Sequence, residues 1–279
     1  MNQQPVQNYL TIDVEEHFQV SAFEDIIPTS NWHNYESRVA GNTRKILSIL
    51  NEYNTKATFF VVGWVAEKHP ELVKAIQKEG HEIGCHSYAH RKIYDLTPEI
   101  FEEDTRKAKN ILEDITGEKI RGYRAPSYSI TSKSLWALDI LEKLGFEYDS
   151  SIFPTYHDNY GIPDAPRFEY YHEKHNLKEY PVSTIRILRK NLPVAGGGYF
   201  RLYPYWFTRA GLNSINQKEK RPFMFYLHPW EIDPAQPRFQ NARFFSRFRH
   251  YNNLSKTSGR FKRLLKEFSF TSISDRKNQ

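Results

Sequence analysis

Titratable or cationic side chains follow five short apolar runs of this chain, directly where each run ends. They are Asp13 after YLTI, His86 after EIGC, Arg124 after IRGY, Asp149 after FEY, and His228 after FMFYL. In a parallel α/β fold the carboxyl ends of the strands share one face, and active sites lie on that face. Structural ion pairs explain one or two such residues, but five at the same relative position predict a functional site.

Two of these runs are followed by residues of types that commonly serve as metal ligands. His86 and His90 form an H-x-x-x-H spacing, which predicts two imidazoles on one side of a helical turn, and neutral imidazole is a common ligand of zinc and related ions. Alone, the spacing fits two loop histidines equally well, since the chain has 11. A third ligand from Asp13, Glu15 or Glu16 would complete a site of two histidines and one carboxylate, with positions open to water and substrate.

The other strand-end residues supply acid–base chemistry. A metal ion lowers the pKa of its bound water, so that a nucleophile exists near neutral pH. A nearby carboxylate can accept the proton of that water, and His228 can protonate the leaving group. Arg124 would orient a carboxylate through a charge-assisted hydrogen bond, and Asp149 would do the same for His228. The set predicts hydrolysis of an amide or an ester.

The apolar runs alternate with helical patterns, which predicts a parallel sheet in a barrel or a doubly wound fold. The expected strands lie at Tyr9–Ile12, Ala57–Val62, His81–Cys85, Ile120–Tyr123, Phe146–Tyr148, Lys178–Val182, Phe223–Leu227 and Phe270–Ile273. The expected helices run from Asn42 or Thr43 to Tyr53, from Pro70 to before Gly80, from Thr97 to Ile115, from Lys133 to Leu144, and from Gly259 to Phe268. We interpret residues 1–279 as one domain with an irregular insertion at about 150–222.

Composition excludes several classes of protein. The chain has 279 residues, of which 39% are hydrophobic and 26% charged, so it is neither disordered nor collagen-like. No apolar run approaches the roughly 18 residues of a membrane span. The N-terminal segment lacks the basic and apolar regions of a secretory signal, which predicts a cytoplasmic protein. The single cysteine, Cys85, excludes an intrachain disulfide and is expected to be a small buried strand residue.

The net charge of +6 comes from one segment of the chain. Residues 238–266 hold nine Lys and Arg and no acidic residue, whereas residues 1–237 hold 28 basic and 31 acidic residues. Phenylalanines interleave with these arginines, and a helix with an apolar side follows. This pattern favours a basic C-terminal flank, at about 238–279, that packs on the barrel and covers it. It argues against a patch that binds nucleic acid. Its charges would face water, an anionic polymer, or a membrane surface through a peripheral contact of 238–266.

Taken together, the motifs resemble a known family. The sequence is similar to the polysaccharide deacetylases of carbohydrate esterase family four, which share the NodB homology domain. The resemblance rests on Thr11–Glu16, His86–His90, Arg124–Tyr128, Tyr148–Ser151 and Tyr226–Trp230, in the order of the family. The phrases YGIPDAPRF, NLPVAGGGYFRLYPYW and LHPWEIDPAQPR further resemble a subgroup found in exopolysaccharide loci associated with protein-sorting systems.

This resemblance implies a distorted (β/α) barrel and metal-dependent removal of an acetyl group from an N-acetylated sugar. It implies Asp13 as general base, His86 and His90 as metal ligands, and Arg124 as the residue that orients the base. It also implies His228 as general acid.

By the same resemblance, Asp149 tunes His228 and a backbone N–H near Tyr128 binds the oxyanion. Tyr128, Pro126, Trp230 and Tyr199 are the expected substrate contacts. The expected cofactor is a divalent metal ion, zinc first, with cobalt, nickel or manganese as other candidates.

The first motif departs from the usual pair of adjacent aspartates, because Val14 stands at the second position. Members of the wider superfamily that act on cyclic amides use a D-x-D spacing, and by analogy Glu15 becomes the third ligand. Strand alternation places residues 13 and 15 on one side and residue 16 on the other. Glu16 remains the alternative if the strand has already ended.

Two other functions are compatible with this sequence. The D-x-E motif leaves open a hydrolase of cyclic amides or small N-acyl compounds, and the changed motif leaves open a carbohydrate-binding protein with weakened catalysis. A polymer substrate needs an open trough lined by aromatic side chains. The sequence offers candidates for such a lining, although packing in the core would explain each of these residues equally well. The trough candidates are Tyr199, Phe200, Tyr203, Tyr205, Trp206 and Trp230. The run Gly196–Gly198 lacks the Lys-Ser/Thr of a phosphate loop and predicts a close backbone approach instead.

Overall fold

The computed structural model describes residues 6–157 and 160–277. Its strands are β1 (Gln7–Val14), β2 (Thr58–Val61), β3 (Glu82–Cys85), β4 (Gly122–Tyr123), β5 (Tyr148–Asp149), β6 (Tyr170–Tyr171), β7 (Lys178–Glu179), β8 (Thr184–Ile187), β9 (Lys190–Pro193), β10 (Met224–Leu227) and β11 (Ser269–Thr271). Its helices are α1 (Val39–Glu52), α2 (Gly63–Lys68), α3 (Pro70–Lys78), α4 (Pro98–Thr116), α5 (Ala137–Lys143), α6 (Gly197–Leu202), α7 (Tyr205–Asn213), α8 (Phe244–Tyr251), α9 (Leu254–Glu267) and α10 (Ile273–Lys277).

One curled sheet forms the centre of the molecule. Its strands follow the order β10-β1-β2-β3-β4-β5-β7-β6, with β11 also paired to β1. All pairs along this order are parallel except β6 with β7. Beyond β7 the chain returns to the first strand of the order, where the Ser183 N–H donates to the Met224 carbonyl of β10 at 3.4 Å. The predicted distorted (β/α) barrel is therefore confirmed.

Local sequence signals set the bounds of the longest helix, α4. The Thr97 hydroxyl accepts the Ile100 N–H, and Pro98 occupies the first helical position, where its missing N–H costs nothing. Gly117 ends the helix in a left-handed conformation with φ of 68°. Phe101 and Leu112 are fully buried on the inner face. The predicted start and end of this helix are thereby confirmed.

Two apolar clusters hold the molecule together. The larger one fills the barrel and the space under the helices, and it includes every residue of β2 except Thr58. The smaller one joins the loop after β1 to the C-terminal segment. It contains Phe18, Val20, Phe23, Ile27, Trp32, Trp230, Ala242 and Leu254. The C-terminal segment thus covers the edge of the barrel beside the strand ends. Phe239 packs there as predicted, whereas Phe244, Phe245 and Phe248 are exposed, contrary to the prediction.

The structure differs from the predicted elements in several places. The insertion is more regular than expected, because it contains the hairpin β8–β9 and the helices α6 and α7. The additional helix α2 ends at Lys68, because the non-helical backbone of His69, with φ of −132° and ψ of 57°, separates it from the Pro70 start of α3. The last long helix, α9, begins at Leu254 rather than Gly259, following a left-handed Asn253 with φ of 54°.

Gly196 brings the insertion into contact with the barrel. Its φ is +122°, it forms a parallel bridge with Tyr226 of β10, and a Cβ atom there would lie 2.1 Å from the Tyr226 carbonyl oxygen. The predicted close backbone approach at this run of glycines is confirmed.

We expect Gly196→Ala to lower the free energy of unfolding by about 2–4 kcal/mol, because both the φ value and the contact with Tyr226 become unfavourable. The matched control is Gly259→Ala, where an added Cβ meets nothing within 4 Å. Since Gly259 is in helix α9, this control should gain up to about 1 kcal/mol. Urea unfolding of both variants measures the difference, and similar midpoints would contradict the prediction.

In the described part of the chain, every helix is too short or too polar to traverse a bilayer.

Candidate active site

Asp13 and Arg124 form a buried ion pair at the carboxyl ends of their strands. The Arg124 Nη1 donates to the Asp13 Oδ1 at 2.7 Å, and both side chains are almost completely inaccessible to water. The second carboxylate oxygen of Asp13, Oδ2, lies 3.9 Å from the Nε2 of His228. Arg124 therefore fixes one oxygen of the carboxylate and leaves the other towards His228.

The Arg124 guanidinium is held on all sides. Its Nε and Nη2 donate to the carbonyl and hydroxyl of Ser150, and Nη1 also donates to the Thr11 hydroxyl at 2.7 Å. The guanidinium carbon lies 4.3 Å from the ring centroid of Phe60. Burial opposes the charge, but Asp13 outweighs it, so the pKa of Arg124 rises above its usual range. A charge fixed by this many partners keeps Asp13 in one orientation.

Glu15, His86 and His90 come together beside this pair. Each offers a ligand atom, the three atoms lie within 4.8 Å of one another, and all three residues are buried. The Nδ1 of His86 lies 2.6 Å from the Arg124 carbonyl, which can only accept, so Nδ1 carries the proton and Nε2 is left for a metal. Among the described residues, nothing hydrogen-bonds the buried Nδ1 of His90. Two imidazoles and a carboxylate at these separations fit a divalent metal ion.

The segment from His86 to His90 is not the helical turn that its spacing predicts. It is a loop in which Ser87 and His90 have φ values of 60° and 48°. The Asp104 carboxylate of α4 accepts the Tyr88 and Ala89 N–H groups at 2.7 and 3.1 Å. These bonds satisfy backbone donors that a helix would have paired internally. The two imidazole rings still meet, with centroids 5.1 Å apart.

The local charges favour the ligand form of both residue types. Burial alone would raise the pKa of Glu15, but the imidazoles of His90 and His228 outweigh it and hold that pKa well below its usual range. Burial lowers the pKa of His86 to about 4, despite the nearby carboxylate of Asp13. An ionised Glu15 and a neutral His86 are the protonation states that metal binding requires.

Glu16 points away from this cluster and ends at helix α1. Its carboxylate accepts the backbone N–H groups of Arg38 and Val39, the latter at 3.2 Å, and the hydroxyl of Ser37. A carboxylate there satisfies unpaired amides and complements the positive end of the helix dipole. The alternation that places residues 13 and 15 on one side and residue 16 on the other thus persists two residues beyond the end of β1.

His228 is held by Glu231 rather than by Asp149. The Nδ1 of His228 lies 2.7 Å from the Glu231 Oε1, which also accepts the His228 backbone N–H at 3.0 Å. The other carboxylate oxygen of Glu231 accepts the Nε of Arg201 at 2.6 Å. Burial would lower the pKa of His228, but the carboxylates of Glu15 and Glu231 raise it to about 9. This arrangement directs Nε2 of His228 towards Asp13 and Glu15.

Asp149 occupies a different pocket, so the structure does not bring it to His228. Its carboxylate accepts the Ser151 hydroxyl and lies beside Glu179 of the neighbouring strand β7. Burial and the Glu179 charge raise the pKa of Asp149 well above its usual range, and burial raises that of Glu179 to about 7. The contribution of this strand end to the site comes from Ser150, which binds Arg124.

The site opens into a cavity of about 220 Å³. Asp13, Glu15, His86, His90 and His228 all line it.

The four expected substrate contacts are divided between the cavity and its surroundings. Tyr128 and Trp230 line the cavity. Tyr199 does not line the cavity, but its hydroxyl is hydrogen-bonded to that of the lining residue Tyr160 at 3.0 Å. Pro126 is buried outside the lining and its carbonyl accepts the Ser129 hydroxyl.

Trp230 contributes to the positions of the catalytic groups. Its indole Nε1 donates to the Glu15 Oε1 at 2.9 Å, and its ring lies between His228 and His250, with centroids 5.1 and 4.2 Å away. Such a contact fixes the orientation of a metal ligand. Trp230 is therefore part of the wall that supports Glu15, in addition to facing the cavity.

The third motif forms a strained turn at the cavity. Ser127 and Tyr128 have φ values of 55° and 53°. The Tyr128 N–H donates to the Ala125 carbonyl at 3.1 Å, so this amide is engaged within the turn. Among the described residues, nothing hydrogen-bonds the buried Tyr128 hydroxyl, although it belongs to a residue that lines the cavity. The structure thus offers a side-chain hydroxyl at this position.

Sequence reasoning missed several residues of the site, namely Glu231, Arg201, Tyr160, Arg249 and His250. Glu231 has a recognisable signal, since Pro229 begins a short helical turn and Glu231 stands three residues after His228. We find no comparable signal for Arg201, which lies in helix α6 of the insertion.

The fold and the site together indicate the class of this protein. The fold is a distorted α/β barrel, and its strand ends carry a carboxylate–arginine pair and a cluster of two histidines and one glutamate. Residues 22–148 match the family model described as polysaccharide deacetylase. Residues 150–277 match the model described as a domain of unknown function, DUF3473. The chain therefore contains a polysaccharide deacetylase domain over residues 22–148, followed by a DUF3473 segment.

Individual relatives agree with this assignment. The chain is 38% identical over 98 residues to a peptidoglycan-N-acetylglucosamine deacetylase of Bacillus cereus, covering 35% of this chain and 36% of the relative. It is 34% identical over 104 residues to a chitooligosaccharide deacetylase of Azorhizobium caulinodans, covering 37% and 48%. The alignments therefore span less than half of these relatives.

A solved structure extends the likeness to the whole fold. It is that of a polysaccharide deacetylase, described as putative, from Mycobacterium smegmatis, with a TM-score of 0.60 and 20% identity. The superposition covers 98% of this chain and 90% of the other. The likeness concerns the fold alone.

Proposed function

We propose that this protein is a metal-dependent hydrolase that removes N-acetyl groups from an N-acetylated polysaccharide or oligosaccharide precursor. The observation that carries the proposal is the convergence of Asp13, His228 and the cluster Glu15–His86–His90 on one cavity. The relatives named as peptidoglycan-N-acetylglucosamine and chitooligosaccharide deacetylases support the choice of an N-acetylated sugar.

The donor set suits zinc first, with cobalt, nickel or manganese as other candidates, because imidazole and carboxylate together bind this group of ions. When bound, such an ion polarises the acetyl carbonyl and supplies a water of lowered pKa. Glu15 and the two histidines are the residues that hold it in this proposal. Trp230 and the Arg124 carbonyl orient two of these ligands through the bonds described above.

Proton transfer is assigned to Asp13 and His228. The free Oδ2 of Asp13 accepts a proton from the attacking water, while Arg124 holds the other oxygen. As the amide C–N bond breaks, the Nε2 of His228 donates a proton to the departing sugar nitrogen, so that acetate and a free amine result. Glu231 is a positioning residue, since it acts through His228.

Only part of the aromatic trough expected from the sequence faces outward. Phe200 and Tyr205 are buried in the core, whereas Trp206 is exposed. We therefore propose that only the exposed and cavity-lining aromatics contact a polymer substrate. A polymer fits the resemblance to the subgroup of deacetylases found in exopolysaccharide loci.

We also propose that residues 1–279 act as one domain. Strand β1 precedes the segment that matches the deacetylase model, and it pairs with β2 of that segment and with β10 and β11 of the C-terminal segment. The cytoplasmic location stays a prediction.

The function is tested by measuring acetate release from oligomers of N-acetylglucosamine, with zinc, cobalt, nickel or manganese added to metal-stripped protein. Release that depends on the metal is the expected result. No release with any of the four metals would contradict the proposal. Release from a cyclic amide or a small N-acyl compound, but from no oligomer, would favour the alternative hydrolase.

The metal-ligand assignment predicts opposite outcomes for two adjacent glutamates. We expect Glu15→Gln to weaken zinc binding about a hundredfold, because an amide replaces the only anionic ligand. The matched control, Glu16→Gln, should bind zinc like the wild type and lose about 1 kcal/mol of stability at the start of α1. Competition with a metal-binding dye measures both affinities, and weaker binding in Glu16→Gln alone would reverse the assignment.

A further inference from the structure

Helix α8 presents three phenylalanines to the solvent. Phe244, Phe245 and Phe248 are 73%, 74% and 50% exposed. Residues at these spacings share one face of a helix. The opposite face seats the buried His250 against Trp230, with ring centroids 4.2 Å apart. In this amphipathic helix, the apolar face therefore points to the solvent rather than to the core of the protein.

Arginines flank this stripe. At about 100° per residue, Arg247 and Arg249 project to either side of the phenylalanines. Arg243 precedes the helix and pairs with Asp25 at 3.1 Å. No acidic residue occurs between 238 and 266. An apolar stripe bordered by cations has the composition of a helix that lies in the interface of an anionic bilayer.

The position of α8 relates the stripe to the candidate active site. Arg249 and His250 of this helix line the cavity that contains Asp13 and His228. A surface touched by the phenylalanines would therefore lie next to the cavity.

Two other occupants fit less well. The three exposed phenylalanines offer roughly 400 Å² of apolar surface, about half of what one partner contributes to a stable protein interface. The rings of Phe244 and Phe245 stand at 77° to each other, so they form no flat platform on which a sugar chain could stack. Neither property hinders shallow insertion into a bilayer.

We propose that helix α8 docks this protein on an anionic membrane surface, with Phe244, Phe245 and Phe248 inserted among the lipids and the neighbouring arginines against the headgroups. The docked helix would place the cavity at the bilayer, where a membrane-bound saccharide could reach it. The inference goes beyond the proposed function, and its test requires no turnover.

The test is co-sedimentation with vesicles of phosphatidylcholine containing about a third phosphatidylglycerol, compared with phosphatidylcholine alone. We expect the wild type to bind only the anionic vesicles at low salt. The variant Phe244→Ser/Phe245→Ser/Phe248→Ser should lose at least about tenfold in partitioning. Its control is Tyr156→Ser/Tyr171→Ser, which removes exposed aromatics elsewhere and should bind like the wild type.

The charge component is tested separately. We expect Arg243→Gln/Arg247→Gln to lower partitioning about tenfold, whereas Arg44→Gln/Lys45→Gln on α1 should have little effect. Circular dichroism and thermal melting check that all variants are folded.

Three outcomes would overturn the proposal. The first is a wild type that pellets with neither kind of vesicle. The second is binding that survives the triple phenylalanine substitution. The third is a wild type that does not bind vesicles but forms a dimer that the triple substitution dissociates, which would assign the stripe to a second copy of this chain.

Discussion

The Asp13→Asn variant is expected to lose about a thousandfold in kcat while still binding the metal ion. An amide of the same shape keeps the hydrogen bond from Arg124 but cannot accept a proton from water, and general-base catalysis contributes effects of this size. Because Asp13 is not one of the three proposed ligands, zinc affinity should remain close to that of the wild type. The measurement combines acetate release from N-acetylglucosamine oligomers with metal titration.

A second buried aspartate provides the control for Asp13→Asn. Asp233 accepts hydrogen bonds from Arg38 and Asn42 and does not line the cavity. We expect Asp233→Asn to lower stability and leave kcat within about threefold, since it disturbs an ion pair outside the site. Loss of metal from Asp13→Asn would show that Asp13 and Glu15 have been assigned each other's roles.

The Glu231→Gln variant is expected to lower kcat by about a hundredfold to a thousandfold, with KM nearly unchanged. Gln retains a carbonyl for Arg201 but removes the negative charge that faces the Nδ1 of His228, and the imidazole loses its fixed orientation and its stabilised cation. Because Glu231 is buried beside Arg201, the variant is assayed at a temperature where melting curves show it to be folded. The division between kcat and KM separates a role in positioning from general damage.

Asp149→Asn is the informative companion to Glu231→Gln, since the family resemblance assigns the tuning of His228 to Asp149. The carboxyl of Asp149 faces Ser151 and Glu179 rather than His228, and burial raises its pKa well above the usual range, so an amide of the same shape should change little at the site. We expect this variant to keep kcat within about threefold of the wild type. Partial recovery by Glu231→Asp would support the need for a carboxylate. The reverse pattern, with Asp149→Asn severely impaired and Glu231→Gln active, would restore the role that the resemblance assigns.

The sequence predicts those parts of the site that depend on strand position. Asp13 and His228 each follow a clear apolar run, and His86 and Arg124 follow shorter, mixed runs. Parallel pairing then places their backbones on one face. The helix from Pro98 to Thr116 is equally well marked, by a cap, a proline and a glycine.

The sequence does not predict the contacts that depend on side-chain direction. Asp149 follows a strand like the others, yet its carboxyl points to Ser151 and Glu179. The spacing of His86 and His90 is helical, but hydrogen bonds from the backbone N–H groups of this segment to the Asp104 carboxylate hold it as a loop. Arg201 reaches Glu231 from a short helix without a clear apolar period. In all three cases, contacts between residues far apart in the sequence determine the conformation. A local sequence pattern does not predict such contacts.

The pairing of β1 with β10 and β11 has a consequence for how the protein is made. Tyr9 is in register with Met224 and also with Thr271, so the strand that carries the first motif pairs with two strands that are synthesised much later than it is. Contacts of such separation form late in folding. A chain truncated before β11 therefore contains all three proposed metal ligands but lacks one strand that pairs with β1. We expect the complete metal site to form only after β11 has been synthesised.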